Sequence, residues 1–181
     1  LAELIGRFSS LRVVVVGDLI VDEYVSCETL GLSREDPTVV VSPIRHDRFV
    51  GGAGIVAAHV RGLGGQVKYF GIVGEDQASS FALQTLSKYG VDACLIKDES
   101  RPTTLKQRYR AGDKTLLRVS HLRQHDISRE LITNMLGKLD LALERADLLV
   151  FSDFNYGCLP QILVDEIISR CAQHGVPMVA D

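Results

Sequence analysis

Val13-Val14-Val15-Val16-Gly17-Asp18-Leu19-Ile20-Val21-Asp22 opens on four β-branched residues and carries two carboxylates around a second apolar run. An unbroken β-branched run reads as a strand covered on both faces, as in a parallel sheet. Asp18 and Asp22 then fall at the carboxyl end of that strand. About thirty residues later, Gly51-Gly52-Ala53-Gly54 removes side chains from a segment that turns into a helix. Carboxylates accept hydroxyl hydrogens, and glycines let backbone N–H groups come close. Together the two pieces describe a pocket that grips a hydroxyl-rich small molecule.

Outward from this stretch, apolar and periodic segments alternate. The pattern predicts strands over 12–16, 67–73, 93–96, 148–152 and 176–180. Between them it predicts helices over 54–63, 77–89, 128–144 and 160–173, with a short amphipathic helix over 1–8. The helix over 54–63 is built of small residues and ends at Gly64-Gly65, and Ser128 caps the one it precedes. This alternation indicates a doubly wound, mainly parallel α/β sheet. Segments 21–27 and 38–42, joined by a turn-rich stretch, form an excursion from it, a small β flap over about 21–44. Gly112-Asp113 between two alternating segments is a hairpin signal.

With 181 residues and 46% of them hydrophobic, the chain can bury one sizeable core. A net charge of −3 provides no basic field for nucleic acid or an anionic membrane surface. No apolar run is long enough to span a bilayer, and no leader pattern opens the chain. Cys27, Cys94, Cys158 and Cys171 are scattered, which fits buried thiols in a reducing cytoplasm. His121 and His125 have ligand-like spacing but lie in a polar loop, so no metal site is expected there. The chain begins at Leu1 and stops at Asp181 directly after a strand, so 1–181 is expected to be the amino-terminal part of a longer protein.

In open α/β sheets, ligands sit outside the carboxyl ends of the strands. Three predicted strands end there in acidic groups, at Asp18, Asp153 and Asp181, which makes them ligand candidates. Gly52-Ala53-Gly54-Ile55-Val56-Ala57 formally fits a dinucleotide fingerprint, but Arg45-His46-Asp47-Arg48 upstream is too charged for the buried strand that fingerprint needs. Strand alternation puts Lys106, Arg108 and Arg110 on one face, a seat for a phosphate or an exposed charged surface.

These residues carry a resemblance. Gly17 to Asp22, Gly51 to Gly54, Tyr69-Phe70-Gly71-Ile72-Val73-Gly74-Glu75-Asp76 and Ser152-Asp153-Phe154 resemble the PfkB-type, ribokinase-like carbohydrate kinases along essentially the whole chain. Within that family, Arg34-Glu35-Asp36-Pro37, Thr104 to Arg108 and Leu117-Arg118-Val119 are similar to the heptose 7-phosphate kinase domain. The resemblance implies transfer of the γ-phosphoryl of ATP, with magnesium, to a hydroxyl of a sugar or sugar phosphate. It implies that Asp22 holds sugar hydroxyls with Asp18 beside it, and that Gly51 and Gly52 bring backbone to the sugar. It further implies that Lys106 and Arg108 lie near a substrate phosphate, that the flap closes over the site, and that flaps of two subunits pair into a homodimer. The family's Gly-Ala-Gly-Asp segment, whose aspartate is the base, is not in these residues, and the ATP site lies largely with it. Turnover by this polypeptide alone is therefore not expected.

Two positions depart from the family pattern. Ile55 stands where an asparagine commonly binds the sugar, and Tyr156 stands where the heptose kinases typically have lysine. They keep open a sugar-binding or assembly paralogue without chemistry, and the Gly52 to Ala57 fingerprint keeps open a nicotinamide-dependent oxidoreductase.

Overall fold

The run from Val13 to Val16 forms the middle of β1 (Arg12–Gly17), and every one of these valines is buried. The computed structural model describes residues 6–181. After β1 come β2 (Leu19–Leu32), β3 (Val39–Gly52), α1 (Ala53–Gly62), β4 (Gln66–Val73), α2 (Gln77–Lys88) and β5 (Asp92–Lys97). The chain continues through β6 (Leu105–Ala111), β7 (Lys114–His121), α3 (Arg129–Leu143), β8 (Leu148–Ser152), α4 (Gln161–His174) and β9 (Met178–Ala180).

Five strands pair in parallel in the order β5-β4-β1-β8-β9, which puts β1 at the centre. Side chains alternate across a strand, so β1 feeds two cores. Val14 and Val16 pack with Phe70, Met135, Leu139, Leu163 and Ile167, under α3 and α4. Val13 and Val15 pack with Ala53, Ala57, Tyr69, Ala82 and Leu86, under α1 and α2. Fully burying one such side chain stabilises by about 1.5–3 kcal/mol, so a charge at Val15 would break both the strand and the layer beneath it. Small residues at Gly54 and Ala57 let α1 lie close. A Cβ on Gly54 would stand 2.5 Å from Val50 Cγ1 and 2.9 Å from Leu19 Cδ1.

The chain goes from β1 to β4 and β5 on one side, then crosses to β8 and β9 on the other. The gap between β1 and β8 is thus a topological switch point, where doubly wound sheets hold their ligands. The parallel fold expected from the strand pattern is the one observed.

The helix expected over 1–8 lies largely outside the described residues; of the described ones, Arg7–Ser10 forms a single 3₁₀ turn. One expectation needs correction: the flap is larger than 21–44. β2 and β3 are each 14 residues long and pair antiparallel from Leu19↔Gly52 to Leu32↔Val39. The β6–β7 hairpin joins them, β6 running parallel to β2 from Val21↔Leu105 to Ser26↔Arg110, in a four-stranded sheet β3-β2-β6-β7. The charged stretch Arg45 to Arg48 is strand because this lid faces solvent, where alternation of polar groups is tolerated.

Candidate functional site

β2 leaves the core where β1 ends, and its alternation sorts side chains onto two faces. Val21, Glu23, Val25 and Cys27 are buried, while Asp22, Tyr24 and Ser26 point to the other, half-buried face. Register brings Lys106 opposite Asp22 and Arg108 opposite Tyr24. The Asp22 carboxylate is ion-paired to the Arg108 guanidinium, with about a quarter of each side chain exposed (23% and 26%). Arg108 also lies over the Tyr24 ring, 5.2 Å from its centroid, and Tyr24 meets Phe49 edge-on at 6.0 Å.

Gly51 lies beside this carboxylate. A Cβ there would stand 2.6 Å from Asp22 Oδ2, so only glycine leaves that side of Asp22 open. Gly52 has φ 57°, and the Asp18 carbonyl fills the place a side chain would need. The next amide, Ala53 N–H, donates to that same carbonyl at 2.9 Å. The two carboxylates and the paired glycines thus share one rim of the sheet.

Asp18 has a different environment from the one expected. It is buried, and its carboxylate accepts N–H groups from Phe154 (2.9 Å), Tyr156 (3.2 Å) and Cys158 (3.3 Å). Burial pushes its pKa above the ordinary value, against the pull of those three amides. Both oxygens are committed to the loop after β8, so Asp18 braces the site from beneath and is not open to a ligand. Asp153 also departs from expectation. It is exposed, its Oδ1 accepts the Asn155 N–H at 2.8 Å, and its own N–H donates to the Asp181 carbonyl at 3.1 Å. It lines a hollow with Gln161, Val164, Val179 and Asp181, where α4 lies against β8 and β9.

The loop braced by Asp18 lies under the lid. Lys106 Nζ sits 5.0 Å from the Tyr156 ring centroid and 5.9 Å from that of Phe154, within cation–π range. The start of β6 is tied down as well. Asp76 caps α2 through Ser79 N–H (2.8 Å), and its other oxygen takes the Thr103 N–H at 2.8 Å. Hydrogen bonds from Ser79 and Thr103 hold the Asp76 pKa below the usual carboxylate range despite its partial burial.

The structure therefore brings Asp22, Gly51, Lys106 and Arg108 together, with Gly52 behind them. Tyr24, Phe49 and Arg101 were not singled out by the sequence. The two tyrosine and phenylalanine rings follow from alternation about Asp22, but Arg101 carries no local signal. Gly52 to Ala57 follows β3, which pairs only antiparallel, so the dinucleotide fingerprint lacks its parallel strand. Among the described residues, no three His, Cys, Asp or Glu side chains gather as a metal site. His121 bonds Gln107 at 3.0 Å and His125 bonds Ser100 at 2.8 Å, so their spacing serves separate partners.

With this geometry in place, comparison with known proteins decides the family. The pfkB family carbohydrate kinase profile matches residues 10–181. The chain belongs to the pfkB family of carbohydrate kinases. Two relatives are similar to it along nearly its whole length. Bifunctional protein HldE of Desulfatibacillum aliphaticivorans is 31% identical over 178 residues, spanning 98% of this chain and 36% of that protein. D-beta-D-heptose 7-phosphate kinase of Bordetella bronchiseptica is 34% identical over 175 residues, spanning 97% and 55%. The chain thus spans about a third to a half of the curated relatives it matches. Among solved structures, Agrobacterium tumefaciens carbohydrate kinase superposes with a TM-score of 0.70 at 16% identity, covering 94% of this chain and 53% of that one. Arabidopsis thaliana ribokinase, complexed with ribose and ATP, superposes with a TM-score of 0.65 at 18% identity, covering 95% and 53%. The pfkB fold is therefore ribokinase-like, with the second, mixed sheet as its lid.

Proposed function

We propose that this chain is the sugar-binding part of a kinase that moves the γ-phosphoryl of ATP to a hydroxyl of a sugar or sugar phosphate, with heptose 7-phosphate the first candidate. The observation that carries the reading is the Asp22 carboxylate left open by Gly51 on the face that also bears Lys106 and Arg108. Asp22 accepts hydroxyl hydrogens of the sugar. Arg108 is ion-paired to this carboxylate, and the partly exposed Arg108 guanidinium and Lys106 ammonium offer charge to an anionic group on the substrate. A lid closing over the cleft excludes water that would otherwise take the phosphoryl group. Asp18 is assigned a bracing role in place of a substrate contact.

ATP is the donor implied by the family, and magnesium would supply charge neutralisation for its phosphates. The described residues gather no carboxylate cluster for a divalent cation, so none of them is assigned to magnesium, and no step is routed through it. The catalytic base is likewise assigned to none of these residues. Two copies are proposed to pair through their lids, where Leu32 (71% exposed) and Ile44 (67%) face outward. A cytoplasmic setting is supported by four free cysteines, and no helix among the described residues is long and apolar enough to cross a membrane.

A second reading, a sugar-binding paralogue without chemistry, is favoured by Ile55 on α1 and by Tyr156 in the cleft. A thermal-shift panel of sugar phosphates, free sugars and nicotinamide cofactors, with Asp22→Ala as control, tests the binding. A sugar phosphate is expected to raise the Tm of the native protein and not that of the variant. A shift with a nicotinamide cofactor alone would refute the sugar reading.

A further inference from the structure

The loop between β8 and α4 is held from two sides. From below, Asp18 gathers the N–H groups of Phe154, Tyr156 and Cys158. From the side, Arg101, buried as far as its guanidinium, donates to the Tyr156 carbonyl at 2.9 Å and to the His125 carbonyl at 2.5 Å. Asp98 Oδ2 accepts from Arg101 Nε at 2.7 Å, and Ser100 holds the other Asp98 oxygen, so this buried pair is satisfied throughout. The backbone inside the loop is equally determined. Asn155 has φ 59°, a region few non-glycine residues enter, and Gly157, at φ 83°, lies where the His125 carbonyl leaves no room for a side chain.

All of this organisation displays two rings. Phe154 is 42% exposed, although the core lies close by, and both rings lie within cation–π distance of Lys106. Across β2 and β6, Lys106 stands opposite Asp22. The cleft therefore has a hydroxyl acceptor and an ammonium group side by side on the lid and, next to that ammonium, an apolar ring surface on the loop. A pyranose carrying a phosphate matches that order, with hydroxyls at its edge, C–H bonds on its face and an anion at its end.

Building on the sugar-kinase reading, we propose that the β8–α4 loop is a preformed stacking floor for the ring of the acceptor sugar. Phe154 and Tyr156 determine which sugars are accepted, and Asp18 and Arg101 are positioning residues that act through the loop. The floor selects phosphorylated pyranoses over open-chain or ring-free phosphates.

The test is calorimetric titration of the protein with a heptose 7-phosphate and with inorganic phosphate. Phe154→Ala, Tyr156→Ala, Arg101→Met and Arg101→Lys are measured alongside. Loss of one stacking ring is expected to weaken heptose 7-phosphate binding about five- to tenfold. Binding of inorganic phosphate by Phe154→Ala stays within about twofold of the native protein, since the charges remain. Arg101→Lys recovers part of the affinity lost in Arg101→Met, a rescue that a purely structural contribution to folding would not give. Saturation transfer from aromatic protons to the sugar's C–H protons is expected in the native protein and is reduced in Phe154→Ala and Tyr156→Ala. Unchanged affinity in both ring variants, or no transfer to the sugar, overturns the stacking floor and leaves the sugar reading standing. If the native protein binds no sugar phosphate at all, the sugar reading itself falls, and the floor falls with it.

Discussion

Asp18 and Asp22 sit four positions apart on one rim, and the structure gives them opposite work. Asp18 is buried with three amide donors on its carboxylate, while Asp22 has one cation and an open side. Removing Asp18 leaves buried N–H groups without an acceptor, each costing about 1–3 kcal/mol. Asp18→Ala is therefore expected to destabilise by about 2–4 kcal/mol in urea unfolding. Asp22→Asn loses only a partly solvated ion pair, so the same experiment should show a change within about 1 kcal/mol, with sugar binding abolished. Equal destabilisation by the two variants would contradict this division. Gly51→Ala probes the same point from the other side. Its methyl would press on Asp22 Oδ2 while Arg108 holds the carboxylate by Oδ1, so affinity should fall while the Tm barely moves.

At the scale of elements, the lid is organised around Glu23, a buried carboxylate on the face opposite Asp22. Arg48 Nε donates to it at 2.6 Å, Gln107 donates to its other oxygen, and His46 Nδ1 lies 3.4 Å away. Burial pushes the Glu23 pKa up, but the hydrogen bonds from Gln107 and Arg48 outweigh it and hold it below the ordinary 4.5. A depressed carboxylate contributes stability above its unfolded pKa and loses it as the pH falls through the folded value. Glu23→Gln should thus be less stable than the native protein at pH 7, by about 1 kcal/mol given the exposure of Arg48. That gap should shrink as the pH falls from 7 through the depressed folded value. Urea midpoints across this acid range measure it, and a gap that ignores pH would dismiss the charge. The lid was also the least legible element. The valine run of β1 announces itself because burial on both faces demands it, and the helix caps at Asp76 and Ser128 are local. By contrast, β3 runs through Pro43, Arg45 and Asp47, and β6 joins β2 only through a pairing across some eighty residues.

At the scale of the molecule, the switch point beside β1 and the lid above it make one cleft. Its near half was readable, because Asp22 and Gly51 each follow from a short motif. Its floor was not, because Arg101 meets Tyr156 only after the whole sheet has formed. If Asp22, Lys106 and Arg108 hold the sugar as proposed, and the base and the ATP site are supplied by none of the described residues, residues 1–181 alone should bind a sugar phosphate without phosphorylating it. A coupled assay that detects ATP-dependent turnover would overturn this. The lid tip poses the last question. Leu30, Leu32, Val39 and Ile44, on the outer part of the β2–β3 hairpin, are each more than half exposed among the described residues. An apolar patch of this kind on a long, solvent-facing strand pair favours association, and like strands from a second copy offer a self-complementary cover. If so, the native protein should sediment as a dimer at micromolar concentration. Leu32→Asp with Ile44→Asp should sediment as a monomer of nearly unchanged Tm, because neither side chain contributes to the core. Lid closure would then be shared between subunits, and the monomeric variant should bind sugar phosphate more weakly although every cleft residue is intact. A monomeric native protein, or a variant that still dimerises, would show that the exposed tip serves something other than self-association.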